Sequence, residues 1–175
     1  MITALALFAA MAAAPAASGS ELVGTSPPGW EISEWLQGGP LAWDQLRGRV
    51  VLVRWWTGPE CSFCGAAAPY LNKWHARHGP NGLTVVGLYH HKSKDALDRK
   101  RVAELAKEFG FLFPIGIDAD WRTLRRWWLD GTEREYTSVT FLLDRKGVIR
   151  HIHPGGSYTR REAAEIESVL EELLK

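Results

Sequence analysis

The sequence predicts an α/β protein, a central mixed sheet flanked by helices in one layered domain. Three observations carry this. From Val50 onward, short apolar runs rich in β-branched residues alternate with segments of helical period. The alternation closes on two strands joined by Asp144-Arg145-Lys146-Gly147, followed by a last helix. No internal repeat or low-complexity linker follows Ser20, and 175 residues suffice for one domain with a full core. The first strands should be parallel and the last two antiparallel.

In chain order, residues 1–20 form a separate unit. Ile2 to Ala14 is an apolar run, and small residues around Ala14-Pro15-Ala16 offer cleavage sites, so a secretory signal peptide is expected. No Lys or Arg precedes the run, which is too short for a membrane span; an uncleaved anchor is the alternative. Residues 24–175 then form the domain. Pro27-Pro28-Gly29 and Gly38-Gly39-Pro40 mark turns, so Trp30 to Leu36 and Leu41 to Trp43 are expected to pair as a small N-terminal hairpin. Val50 to Trp56 reads as a buried strand and Thr57-Gly58-Pro59 as a turn. Phe63, Ala67, Tyr70, Leu71 and Trp74 recur at helical spacing up to His78, with Pro69 inside and Gly79-Pro80-Asn81-Gly82 as the stop. Leu83 to Tyr89 is a second strand, Ser93 to Phe109 a helix, and Phe111 to Ile117 a third strand. Asp118 or Asp120 caps a short helix through Trp128. Val139 to Leu143 and Val148 to His153 complete the sheet, and Thr159 with Glu162 forms a capping box for the final helix.

The net charge of +1 offers no electrostatic footprint for nucleic acid or an anionic membrane, and the Arg and Lys clusters read as solvated helix faces. Most of the nine tryptophans should be core.

The chemistry lies at the first strand-to-helix junction. Cys61 and Cys64 are two residues apart where the helix begins. The first turn of a helix has unpaired N–H groups and partial positive charge, so a thiolate there is stabilised below the free pKa of about 8.5. Cys61 is then the exposed nucleophile and Cys64 the buried resolver. A static disulfide or half a zinc site are the structural alternatives. A zinc site needs more ligands than two cysteines, and a bridge over so short a loop stabilises little.

With these residues the chain resembles the thioredoxin superfamily, and within it the exported TlpA/ResA-like disulfide reductases. The likeness covers residues 24–175. Its motifs are Leu46-Arg47-Gly48-Arg49-Val50-Val51-Leu52-Val53 leading to Trp56, Cys61-x-x-Cys64, Pro69 five residues later, and Phe141-Leu142-Leu143-Asp144-Arg145-Lys146-Gly147-Val148-Ile149; the segment from about Lys92 to Ile117 looks like the family's helix-strand insertion. The resemblance implies a thioredoxin-like fold, a groove shaped by Trp56, Pro59, Thr137 and Ser138, no organic cofactor, protein thiol or disulfide substrates, a membrane or soluble electron donor, and a monomer outside the cytoplasm.

Three departures stand out. The family's cis-proline position holds Ser138, after Thr137. A cis bond without proline costs about 2.5 to 4 kcal/mol, so a trans peptide is expected. The buried acid of thioredoxins is replaced by Arg54, which leaves Glu60 as the candidate carboxylate for proton handling, or else as an exposed turn residue. One extra residue lies between Trp56 and Cys61.

Rival chemistries follow from other residues. His90, His91, His151 and His153 end strands near the expected cysteine end, so two thiols with an imidazole could hold copper or zinc. A peroxidase of the peroxiredoxin type needs Pro and Thr where this chain has Arg54 and Gly58. A redox-inert thioredoxin-like binding domain fits Arg54 and Ser138 but not the intact cysteine pair.

Overall fold

The computed structural model describes residues 18–32, 34–58 and 61–175, without the side chain of Ser62. The expected leader lies outside them except for its last three residues. Six strands form one sheet: β1 (Glu34–Gln37), β2 (Val50–Trp56), β3 (Leu83–Tyr89), β4 (Ile115–Ile117), β5 (Val139–Leu143) and β6 (Ile149–Pro154), in the order β1-β4-β3-β2-β5-β6. The β2–β3 and β3–β4 pairs are parallel, and β1–β4, β2–β5 and β5–β6 are antiparallel. This is the mixed sheet that the alternation of elements predicts.

Side chains alternate across β2, so Val50, Leu52 and Trp56 join one core and Val51, Val53 and Trp55 the other. The first core is closed by α1 (Ser62–His78), α2 (Arg99–Glu108) and α4 (Arg160–Leu174). The second is closed by α3 (Arg122–Leu124), the π turn that continues it (Arg125–Leu129), and the segment before β2.

That segment is not the expected hairpin. Its strand among the described residues, β1, pairs with β4 at the sheet edge, and Trp43 lies in a 3₁₀ turn, Trp43–Leu46. Burial of indole rings outweighs the turn signals: Trp30 and Trp43 pack on Trp127, and the Trp30 indole N–H donates to the Leu41 carbonyl at 3.0 Å.

Three boundaries also shift. The helix expected from Ser93 begins at Arg99, because the Asp98 carboxylate accepts from the Lys100 and Arg101 amides as its cap. The strand expected from Phe111 is only Ile115–Ile117. Pro114 interrupts the ladder, and the Gln37 amide takes up the carbonyls of Phe111 and Phe113 at 2.9 and 2.6 Å. Asp118 anchors the short helix by accepting from the Thr123 and Leu124 amides and the Trp55 indole. The Thr159–Glu162 capping box forms as expected.

Candidate active site

The cysteines sit where β2 gives way to α1. Cys61 is the cap of the helix, and its sulfur accepts the Cys64 amide at 3.2 Å. The pair is joined as a disulfide, with Cα atoms 5.4 Å apart. Cys61 is half-buried, whereas Cys64 is 2% exposed. An amide aimed at Cys61 Sγ is the arrangement that holds a thiolate there once the bridge opens.

Around Cys61 lies a groove of about 500 Å³ lined by Thr57, Phe63, Lys92, Glu135, Tyr136, Thr137, Ser138 and Gly156. Thr137 and Ser138 thus line it. Trp56 does not: its ring is turned into the core against Tyr89, Phe109 and Phe111. The even positions of β2 point toward the helices, and α2 with its following loop covers that end. Pro59 and Glu60 lie outside the described residues. Phe63, one of the residues at helical spacing in α1, is 63% exposed, and Tyr136 is 58% exposed. The helical period places Phe63 near the inward stripe, but at the first turn that stripe runs out onto the groove. Sequence reasoning also missed Lys92, Glu135 and Gly156, whose loops reach Cys61 only through the fold.

Arg54 is fully buried on β2. Its guanidinium donates to Thr140 Oγ1 at 3.0 Å and to the carbonyls of Gly155 and Gly156 at 2.8 and 2.6 Å, and it lies over the Tyr158 ring. Burial pulls its pKa down, with Tyr158 acting in the opposite direction. The glycine loop it holds abuts the helix start: a Cβ on Gly156 would fall 2.5 Å from Phe63 Cβ. Arg54 therefore sets one wall of the groove.

Among the described residues the one cis peptide is Gly39–Pro40, so the Thr137–Ser138 bond is trans, as expected. The Ser138 carbonyl accepts from the Gly155 amide at 2.8 Å, and its hydroxyl lies 3.8 Å from Cys64 Sγ.

The strand-end histidines do not gather on the thiols. Among the described residues the one triad of possible metal ligands is His78, Glu167 and Glu171, between α1 and α4. His90 is wholly buried against Trp121, and burial, with Lys92 nearby, pushes its pKa down to about 3. Burial also pulls the His153 pKa down, opposed by Glu162 at 3.4 Å.

A protein-family model described as Redoxin matches residues 13–170. The chain belongs to the redoxin family. Thiol-disulfide oxidoreductase YkuV of Bacillus subtilis is 30% identical over 139 residues, 79% of this redoxin and 88% of YkuV. Protein DipZ of Mycobacterium bovis is 32% identical over 148 residues, covering 81% of this redoxin; the redoxin spans only 20% of DipZ's length. A solved structure of a candidate DsbE-type thiol:disulfide interchange protein from Chlorobium tepidum superposes with a TM-score of 0.73 at 20% identity, over 87% of this chain and 98% of that one. Fold and cysteine pair together place this redoxin among the thiol-disulfide oxidoreductases of the thioredoxin superfamily.

Proposed function

We propose that this redoxin exchanges its Cys61–Cys64 pair with disulfides of protein substrates outside the cytoplasm, as a TlpA-type reductase. The observation that carries this is the asymmetry of the bridged pair, with Cys61 on an open groove under a helix amide and Cys64 buried behind it.

In the reduced form, the Cys61 thiolate attacks one sulfur of a substrate disulfide. A Cys61–substrate bridge forms, and the other substrate sulfur leaves as a thiolate that takes a proton from water. Cys64, deprotonated, attacks Cys61 Sγ, closes the internal bridge and expels the second substrate sulfur, which is protonated in turn. The substrate gains two electrons and two protons, and a dithiol donor, soluble or membrane-bound, restores the pair by the reverse exchange. No organic cofactor enters these steps. Exposed Phe63 and Tyr136 beside Cys61 suit an extended, partly unfolded chain with apolar side chains, whose backbone runs along Thr137. The apolar run from Ile2 to Ala14 supports export. The reducing direction rests on the likeness to the TlpA-type reductases.

The test is the potential of the Cys61–Cys64 couple equilibrated with glutathione, together with trapping. A value near about −270 mV is expected; one near about −120 mV makes the protein an oxidant instead. Cys64→Ala should accumulate mixed disulfides through Cys61, and absence of any adduct with a reducible protein substrate would reject exchange altogether.

A further inference from the structure

Each sulfur of the pair has its own hydrogen-bond donor, and the two donors are of different kinds. Cys61 Sγ has the Cys64 amide, supplied by the helix start. Cys64 Sγ has the Ser138 hydroxyl at 3.8 Å, within reach for a long bond to sulfur. In the bridged form Cys64 carries no proton, so the hydroxyl is the donor in this contact. Ser138 is held in place from behind: its carbonyl accepts from Gly155, and the Gly155 and Gly156 carbonyls accept from Arg54.

Buried, Cys64 has little water to solvate a negative charge, and desolvation disfavours a thiolate. Yet resolution requires that thiolate, because the thiol is a poor nucleophile. Among the described residues, the charged and titratable groups on the elements packed around this end are Arg54, His153 with Glu162, Tyr158, Lys92 and Glu135.

We propose that the Ser138 hydroxyl is a catalytic hydrogen-bond donor that stabilises the Cys64 thiolate during resolution of the mixed disulfide. A proline at this position would have neither a hydroxyl nor an amide hydrogen, so this donor is specific to a chain with serine there. As Cys64 Sγ bonds to Cys61 Sγ and the substrate sulfur leaves, the charge departs from Cys64 and the contact relaxes to the one observed. This assignment rests on the exchange reading above for its role in turnover, but the donor itself can be tested without turnover.

In a Cys61→Ser background Cys64 is the single thiol, and its titration is followed by thiolate absorbance near 240 nm. Adding Ser138→Ala is expected to raise the Cys64 pKa by about one unit, a roughly tenfold smaller thiolate fraction at a given pH. Ser138→Thr, which keeps the hydroxyl, is expected to restore it. In the two-cysteine protein, Ser138→Ala should slow resolution of a Cys61–glutathione adduct about threefold, since a more basic thiolate recovers part of the loss in nucleophilicity. Identical titrations with Ser and Ala at 138, or a shift that Thr does not reverse, would overturn the assignment. If wild-type protein fails to exchange while the Cys64 titration still responds to Ser138, the exchange reading fails and the donor stands.

Discussion

At the scale of single residues, the site depends on groups that are costly to bury. Arg54 occupies a position with no carboxylate partner among the described residues, and it is tolerated because three acceptors and the Tyr158 ring surround it. Arg54→Met should leave the Gly155 and Gly156 carbonyls without donors and lower the unfolding free energy by about 2 kcal/mol or more, read from urea denaturation of the oxidised protein. His90 is the second such group. Its folded pKa of about 3 lies below the unfolded value, so the unfolded chain takes up its proton first as pH falls. Its stability contribution is therefore complete above the unfolded pKa of about 6.5 and declines toward the folded value, by about 2 kcal/mol at pH 5. His90→Phe should flatten the difference in urea midpoint between pH 7.5 and pH 5; an unchanged difference would assign the acid sensitivity elsewhere. Phe63 and Tyr136 are exposed and bear little on the core, so replacing both with Ala should raise KM for a protein disulfide by about tenfold, equivalent to about 1.4 kcal/mol, while the melting temperature stays put.

At the scale of elements, α1 does two jobs. Its inward residues Ala67, Leu71 and Trp74 anchor it to the sheet, and its first turn presents the cysteines. Pro69 is accommodated inside it; the residue four positions earlier, whose carbonyl the ring faces, is Gly65. A side-chain cap is legible as a helix start where it forms a reciprocal pair and can be overlooked where it stands alone. Thr159 and Glu162 mark the start of α4 in the sequence, whereas the apolar period extends α2 back to Ser93, past the Asp98 cap. The residues before it instead make local bonds, His91 Nε2 to the Asp95 carbonyl at 2.7 Å and the Asp95 amide to Ser93 Oγ at 3.2 Å. Asp98→Ala should cost about 1 kcal/mol in unfolding free energy, measured by chemical denaturation, without moving the redox potential.

At the scale of the whole molecule, the sheet separates two tasks. One face carries the helices that present the pair. The other is sealed by an indole layer in which Trp127 meets Trp30, Trp43, Trp55 and Phe141, with its N–H donating to the Pro28 carbonyl at 2.9 Å. Trp127→Ala should therefore destabilise the protein by about 3 to 5 kcal/mol, read from urea denaturation. The potential of the Cys61–Cys64 couple, set on the other face, should be unchanged.

The amino-acid order by itself determined the strand and helix alternation from Val50 onward, the parallel sense of the first strands and the antiparallel sense of the last two, and the chemistry of two thiols at a helix start, because period, caps and close spacing are local properties. Tertiary structure decided what else meets those thiols beyond the Thr137–Ser138 segment. It paired β1 with β4 rather than in a hairpin, turned Trp56 inward and Phe63 outward, and brought Lys92, Glu135 and Gly156 to the groove beside Cys61. Such contacts depend on which of many apolar surfaces wins burial and on how the loops close around it, and no local pattern encodes that competition.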